Sequence, residues 1–425
     1  MPVTLYPRGV STKAGGLADS DTRRAAGMAA AQIASNVAAL AFTILFARIL
    51  GASGYGSLAV LISAFIILAV PGSALQIAVA RELSRALAHD DADAGKGVRP
   101  WLKRLAVAVV VVAVVAIPLR EVIASIVSVD QTWAAAAVPV TGVLWAMLCV
   151  ERGALQGFGC YRIVAISLVA EATGRLLFAL ALVGVGLDVT GAFLANALTL
   201  IAVGAVLAVP LGRRLPPRHD GMTVSRLRDL LMQARVPVVA LSLLFALQEL
   251  HIIVVKHQAS DDAAGSYAVA AVAAKSIIWV AIGLGLYLLP EAARRANAGL
   301  DARPILSRSL ALIGLCAVPA LLIFTLGGEQ LLAAAFGDDL TGSADALPWL
   351  GAAMALLACT HLSVQYLLAL RRRAFVGVLA IAATAEVVVL AGMGADLKKL
   401  AVALFLVQLA CALVVVTTAY RSTTL

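Results

Sequence analysis

The chain has 425 residues, of which 62% are hydrophobic and 13% charged, with a mean hydropathy of +0.98. A soluble globular domain carries about 25% charged residues, so this composition excludes one and leaves little chain outside a bilayer. The net charge of +9 does not mark a nucleic-acid binder, because the basic residues are sorted along the chain by position relative to apolar stretches.

Twelve such stretches occur in order: Ala25–Ala47, Gly56–Ala80, Leu105–Val122, Trp133–Val150, Ile163–Gly186, Val189–Leu211, Ala234–Val255, Ser266–Leu289, Ile305–Leu326, Ala346–Leu370, Ala374–Met393 and Leu400–Thr418. Each has the length of a spanning helix, about 20 residues. The chain therefore reads as an all-α integral membrane protein. It is organised as residues 1–24, a flexible cytoplasmic segment; 25–211, a six-helix lobe; 212–233, a basic linker; 234–420, a second six-helix lobe; and 421–425, a tail. Residues before Ala25 do not form a cleaved signal, because the first apolar run is span-length and lacks a cleavage end.

Twenty-six of the 33 Lys and Arg residues fall on one side of this alternation, five on the other, and two, Arg175 and Lys275, inside spans. The positive-inside rule then puts both termini in the cytoplasm. The expected location is the plasma membrane, with membrane lipids as partners of the basic loops. In the linker, Val224, Leu227, Leu230 and Leu231 share one helical face, predicting an amphipathic helix on the inner surface. Outer connections are short, the longest being Gly327–Asp345. The five cysteines (149, 160, 316, 359 and 411) are scattered without CxxC spacing and read as free thiols. No metal-ligand or cofactor motif is present.

The two halves resemble each other. Gly54-Tyr55-Gly56 opens the second span and Gly265-Ser266-Tyr267 the eighth, with the tyrosines 212 apart; Glu171 in the fifth span and Glu386 in the eleventh are 215 apart. Near-constant offsets between unlike features predict a duplication. An even number of helices per repeat keeps the sidedness, so the repeats are parallel about an axis along the membrane normal, with a cavity between the lobes.

Several runs carry a family resemblance. Ala47-Arg48-Ile49-Leu50-Gly51-Ala52-Ser53-Gly54-Tyr55-Gly56, Ala80-Arg81-Glu82-Leu83-Ser84-Arg85, Arg152-Gly153-Ala154-Leu155-Gln156-Gly157-Phe158-Gly159, Ala264-Gly265-Ser266-Tyr267-Ala268-Val269-Ala270 and Leu288-Leu289-Pro290-Glu291 resemble the polysaccharide-biosynthesis flippases. These belong to the multidrug/oligosaccharidyl-lipid/polysaccharide exporter superfamily. The resemblance implies a V-shaped, two-lobed flippase that moves a polyprenyl-diphosphate-linked oligosaccharide from the inner to the outer leaflet by alternating access. Polysaccharide assembly enzymes would be its partners, and no ATPase is required. None is encoded, since no G-x-x-x-x-G-K-[ST] loop occurs. Twelve spans fit the polysaccharide and multidrug branches; the lipid II branch typically has two more.

Charges inside a span are costly and usually face a partner or a wet cavity. Glu171 and Arg175 are spaced to pair along one helix. Arg175 either staples that helix through this pair or lines the cavity and meets the diphosphate, which its planar fork suits. Lys275 has no carboxylate three or four positions away, so its partner is Glu249 on the seventh span or the substrate. Glu249 and Glu386 are candidates for coupling to a proton or sodium ion, with a structural role as the other reading for Glu386. Gln32, Asn36 and Thr43 form a polar stripe on the first span, either bonding a neighbouring helix or lining the cavity toward sugar hydroxyls. Arg48, at the outer end of that span, either receives the diphosphate or snorkels to the interface. Pro71, Pro139 and Pro319 are candidate hinges.

Three other readings compete. A multidrug exporter of the same superfamily stays open. A major-facilitator transporter fits poorly, because Arg81-Glu82-Leu83-Ser84-Arg85-Ala86-Leu87-Ala88-His89-Asp90 lacks that family's G-x-x-x-D-[RK]-x-G-[RK]-[RK] loop. A polytopic glycosyltransferase or polymerase needs catalytic residues in a sizeable outer loop, and none is available, so no enzymatic activity is expected.

Overall fold

In a computed structural model the described residues are 11–89, 95, 97–215 and 225–422, with twelve α-helices and no strand among them. The helices are α1 (Ser11–Ala88), α2 (Val98–Ala116), α3 (Arg120–Val127), α4 (Thr132–Gly157), α5 (Tyr161–Gly184), α6 (Asp188–Gly212), α7 (Ser225–Gln258), α8 (Asp261–Asn297), α9 (Arg303–Phe336), α10 (Leu347–Ala369), α11 (Phe375–Ala391) and α12 (Leu397–Arg421). Among the described residues nine helices are long and apolar enough to cross a membrane, or ten with α2 and α3 taken as one bent span. The difference from the expected twelve sits in two places. Gly27–Ala88 is a single helix that carries two expected stretches, and α11, at 17 residues, falls just short of spanning length.

The breaks fall where backbone chemistry allows them, and not at the expected prolines. Helix α1 changes direction at Gly51, whose φ of 67° is open to glycine and strained for other residues. The third expected stretch is cut by Pro118 into α2 and α3, bent by 85°; proline lacks the N–H and clashes with the preceding turn. In α9 the non-helical residue is Gly327. Pro71, Pro139 and Pro319 lie within helices that show no non-helical backbone there.

Helix α9 continues to Phe336 and two short 3-10 turns follow, so most of the expected outer loop Gly327–Asp345 is helical. Helix α1 starts at Ser11, inside the segment expected as a lead-in, and α7 starts at Ser225 and runs without interruption into its span. The amphipathic face built on Val224, Leu227, Leu230 and Leu231 lies outside the described side chains.

Within the first half α1 packs on α4 and α5, α4 on α2 and α6, and α5 on α6; within the second, α10 packs on α8, α9 and α12, and α7 on α11. Lipid is as apolar as leucine, so such packing depends on close approach at small residues. A Cβ at Gly153 would meet the Gln76 carbonyl, and one at Gly157 would meet Leu83, at 2.5 and 2.7 Å. Side chains such as Leu326 and Ile381, exposed at 81% and 72%, face outward.

The halves meet chiefly where α1 crosses α7 and α8. The crossing brings the two repeated motifs together. A Cβ at Gly56 would stand 2.9 Å from the Gly265 nitrogen, and one at Gly265 would collide with the Ala52 carbonyl. Tyr55 and Tyr267, one from each motif, are both buried. Arg48, just before the Gly51 kink, donates from Nε and Nη2 to the carbonyls of Ala335 and Ala334 at 3.1 and 2.6 Å. These carbonyls end α9, where the helix dipole favours a cation.

Candidate functional site

The intramembrane charges separate into two buried clusters, one in each half. In the second half, α7 carries Glu249 and α8 carries Lys275 to a 2.7 Å ion pair, both nearly inaccessible. Of the two partners left open for Lys275, Glu249 is the one it meets in this structure. Glu249 Oε2 also accepts from the Ser63 hydroxyl at 2.7 Å, and Oε1 accepts from the Gln248 amide at 3.1 Å. Ser63 belongs to α1, so the pair is tied across the boundary between the halves.

Beside it, Glu386 on α11 is fully buried and accepts from the Gln408 amide of α12 at 3.1 Å; the same amide also donates to the Leu247 carbonyl of α7 at 3.2 Å. Glu386 Oε1 has no hydrogen-bond partner among the described residues. His251 completes this region, with Nδ1 3.1 Å from the Tyr267 hydroxyl and Nε2 3.0 Å from the Gln248 carbonyl.

In the first half, Glu171 takes its contact from a different helix than expected. Its Oε2 lies 2.8 Å from Nη1 of Arg152 on α4. Arg152 is 1% exposed, and it donates from Nε to the Ser167 hydroxyl at 3.0 Å and from Nη2 to the Ser167 carbonyl at 2.9 Å. Its guanidinium stands 5.9 Å from the Trp145 ring. Arg152 lies beyond the fourth apolar stretch, which ends at Val150, yet it is deep in helix packing, together with Glu151. Sequence reasoning missed both because a hydropathy window closes at Val150 where charges begin. The signal was the Ser167–Glu171 pair one turn apart on α5, which faces them.

Arg175 stacks its guanidinium 5.4 Å from the Phe42 ring, and its Nε is buried without a hydrogen-bond partner among the described residues. It lines a cavity of about 70 Å³ with Phe65, Phe193 and Asn196, and the Asn196 Oδ1 there also lacks a partner among the described residues. On α1, Gln32 donates to Asn36 at 3.0 Å and both are exposed, while the Thr43 hydroxyl turns back to the Ala39 carbonyl. Gln32 and Asn36 are therefore open, whereas Thr43 is half-buried. Arg48 is engaged with the end of α9 in this conformation, as described. The candidates thus lie in separate places: Glu249, Lys275 and Glu386 together, Glu171 with Arg152, Arg175 in its own cavity, and Gln32 with Asn36 on an open face. No group of three or more His, Cys, Asp or Glu that could hold a metal occurs among the described residues.

Apolar crossing helices and buried charge clusters define a polytopic membrane protein. Its fold is that of the MOP-superfamily transporters. It superposes on a multidrug resistance MATE family transporter of the MOP superfamily in its inward-facing conformation with a TM-score of 0.77 and 11% identity, over 91% of this chain and 94% of that one. For the lipid II flippase MurJ, inward closed, the TM-score is 0.73 at 10% identity, over 93% and 87%. For the eukaryotic MATE transporter AtDTX14 it is 0.62 at 14% identity, over 95% and 96%. Against an outward-facing conformation of a multidrug resistance MATE family transporter the TM-score is 0.56. No family model matches the sequence, and no curated protein sequence matches it.

Proposed function

We propose that this protein is a flippase that carries a polyprenyl-diphosphate-linked oligosaccharide from the inner to the outer leaflet, by alternating access between lobes at 25–211 and 234–420, in cell-surface polysaccharide biosynthesis. In this reading it sits in the plasma membrane with both termini cytoplasmic, and polysaccharide assembly enzymes supply and consume its substrate. The observation that carries it is the gathering of the ties between the halves, Arg48 to α9, Gly56 to Gly265 and Ser63 to Glu249, near one crossing in a fold shared with transporters. Under the positive-inside orientation that crossing is the outer end. The higher TM-score against the inward-facing transporter than against the outward-facing one, 0.77 against 0.56, supports the same state.

Within this reading Arg175 meets the diphosphate, because its guanidinium retains an unused donor in a cavity beside the lobe interior. The polar pair Gln32–Asn36, exposed on a spanning helix, suits a wet cavity wall that meets sugar hydroxyls. Glu171 orients α5 through Arg152. Glu249 and Glu386 are the groups through which an ion gradient couples to lobe movement. A multidrug exporter is the second reading, favoured by the fuller coverage of the MATE neighbour than of MurJ, 94% against 87%.

Depletion of the protein in its host, with polyprenyl-diphosphate sugars quantified on each leaflet, tests the proposal. Build-up on the inner leaflet and loss of one surface glycan are expected, and Arg175→Ala or Lys275→Ala should fail to restore the outer-leaflet pool while still inserting. Unchanged leaflet distributions would sink the flippase reading in favour of the exporter.

A further inference from the structure

The last turns of α9 and the starts of α10 and α12 enclose a recess of about 630 Å³ that the reading above leaves without a task. None of its lining residues belongs to α1, α7 or α8, the helices of the crossing, and it opens beside the outward-facing α9 side chains Leu322, Ile323 and Leu326. Ligand sites run to about 300–1,000 Å³, so there is room for a lipid headgroup and the beginning of its chains.

The break at Gly327 builds the recess. Beyond it α9 resumes with Gly328 packed on α10, where a Cβ would stand 3.3 Å from Leu347 and 3.7 Å from the Ala344 carbonyl. That approach gathers Glu329 and Gln330 with Asp345, in the 3-10 turn before α10, and with Lys398 in the first turn of α12. One to two turns further into the same helices lie Phe324, Trp349 and Phe405, the last two with ring centres 5.5 Å apart. The recess is charged at its rim and apolar in its depth.

The side chains of Glu329, Gln330, Asp345 and Lys398 make no hydrogen bond or ion pair with one another or with any other described residue. Neighbouring charges are occupied or stand aside. Lys399 pairs with Asp396 at 3.2 Å, Arg48 is held by the α9 carbonyls, and Asp338 and Asp339, in the turn beyond α9, do not line the recess. The rim therefore offers two carboxylates and an amide oxygen as acceptors, and one ammonium as a cation. An anion would face the two carboxylates, and an organic cation would face Lys398; a zwitterion answers both signs. A primary ammonium brings three N–H donors to the three acceptors, whereas a quaternary ammonium brings none.

We infer that the recess binds an aminophospholipid of the phosphatidylethanolamine type. Its ammonium goes to Glu329, Asp345 and Gln330, its phosphate to Lys398, and its acyl chains to the aromatic wall and Leu326. In the orientation proposed above this lipid belongs to the outer leaflet, on the side opposite the basic loops. The leaflet rests on that orientation; the binding chemistry does not.

The test is native mass spectrometry of the purified, delipidated full chain in detergent, presented with an equimolar mixture of dioleoyl phosphatidylethanolamine, phosphatidylcholine and phosphatidylglycerol. Wild type should retain phosphatidylethanolamine over phosphatidylcholine by about tenfold or more, the worth of one charge-assisted hydrogen bond. In Glu329→Gln/Asp345→Asn that ratio should fall to about one, since the charged acceptors are gone. In Lys398→Gln the amount of both lipids should fall while their ratio holds, because both carry the phosphate. All three side chains are exposed, so these variants should fold. Asp339→Asn, a nearby acid outside the recess, serves as the control and should change neither quantity. Equal retention of the ethanolamine and choline lipids by wild type, or a preference for phosphatidylglycerol, would overturn the site. So would an ethanolamine preference that survives Glu329→Gln/Asp345→Asn, which would place the lipid elsewhere. The readout involves no transport, so its failure leaves the flippase reading standing, and unchanged leaflet distributions on depletion leave the lipid site standing.

Discussion

Glu171 on α5 and Glu386 on α11 stand 215 residues apart at matching places in the two halves, yet the first faces a buried arginine and the second a neutral amide. The first half satisfies its carboxylate within one lobe, through Arg152 and the two oxygens of Ser167. The second half places its strong ion pair, Glu249–Lys275, against the boundary and shares it with Ser63 of α1. The two acids hold similar positions along their halves but are held by different partners. The Glu171–Arg152 pair stays within the first half, and the Glu249–Lys275 pair lies where the halves touch.

The sharpest way to break this comparison is Arg152→Ala. It strips Glu171 and Ser167 of their donor, and truncating one member of a buried pair costs about 3–5 kcal/mol; thermal unfolding in detergent should show the largest drop of any single change proposed. Arg152→Lys should recover little, because one ammonium cannot replace three engaged nitrogens.

Next in size is Lys275→Met, which leaves Glu249 uncompensated except for Ser63 and Gln248. The double variant Lys275→Met/Glu249→Gln should be more stable than Lys275→Met alone, since an apolar and a neutral polar pair avoids the stranded charge. A double variant no more stable than the single one would mean that Glu249 does not depend on Lys275.

The smallest effect is Gln408→Leu, which removes the donor to Glu386 and to the Leu247 carbonyl. A lost partner for a buried acceptor costs about 1–3 kcal/mol, so the unfolding midpoint should fall less than for Arg152→Ala. An equal or larger fall would show that the two acids are held alike.

Much of the fold was legible in the residues. Apolar runs located the helices, and the lack of a carboxylate near Lys275 pointed to a partner off its own helix, with Glu249 one of two candidates. Charge hid the rest. Helix α4 continues through Glu151 and Arg152 to Gly157, because Glu171 and Ser167 supply polar partners from another helix, and no local pattern reveals a partner that folding brings in. Pro118 illustrates the converse: a proline inside an apolar run breaks the helix, while Pro71, Pro139 and Pro319 do not. The Glu171–Arg175 spacing was real but subordinate, since Arg152 reaches the same carboxylate.

The crossing of α1 over α8 also bears on biosynthesis. The surface that receives Gly265 and Glu249 is completed at Ser63, so the ribosome makes nearly two hundred further residues before its partners emerge. For that interval a newly inserted first half presents a glycine notch and an unmet serine hydroxyl to lipid. The second half of the same chain is its cover, and a second copy of the first half is the nearest substitute. Arrested or truncated chains should therefore pair with one another through this notch, and the arrival of α7 and α8 is what converts a sticky intermediate into a single closed molecule.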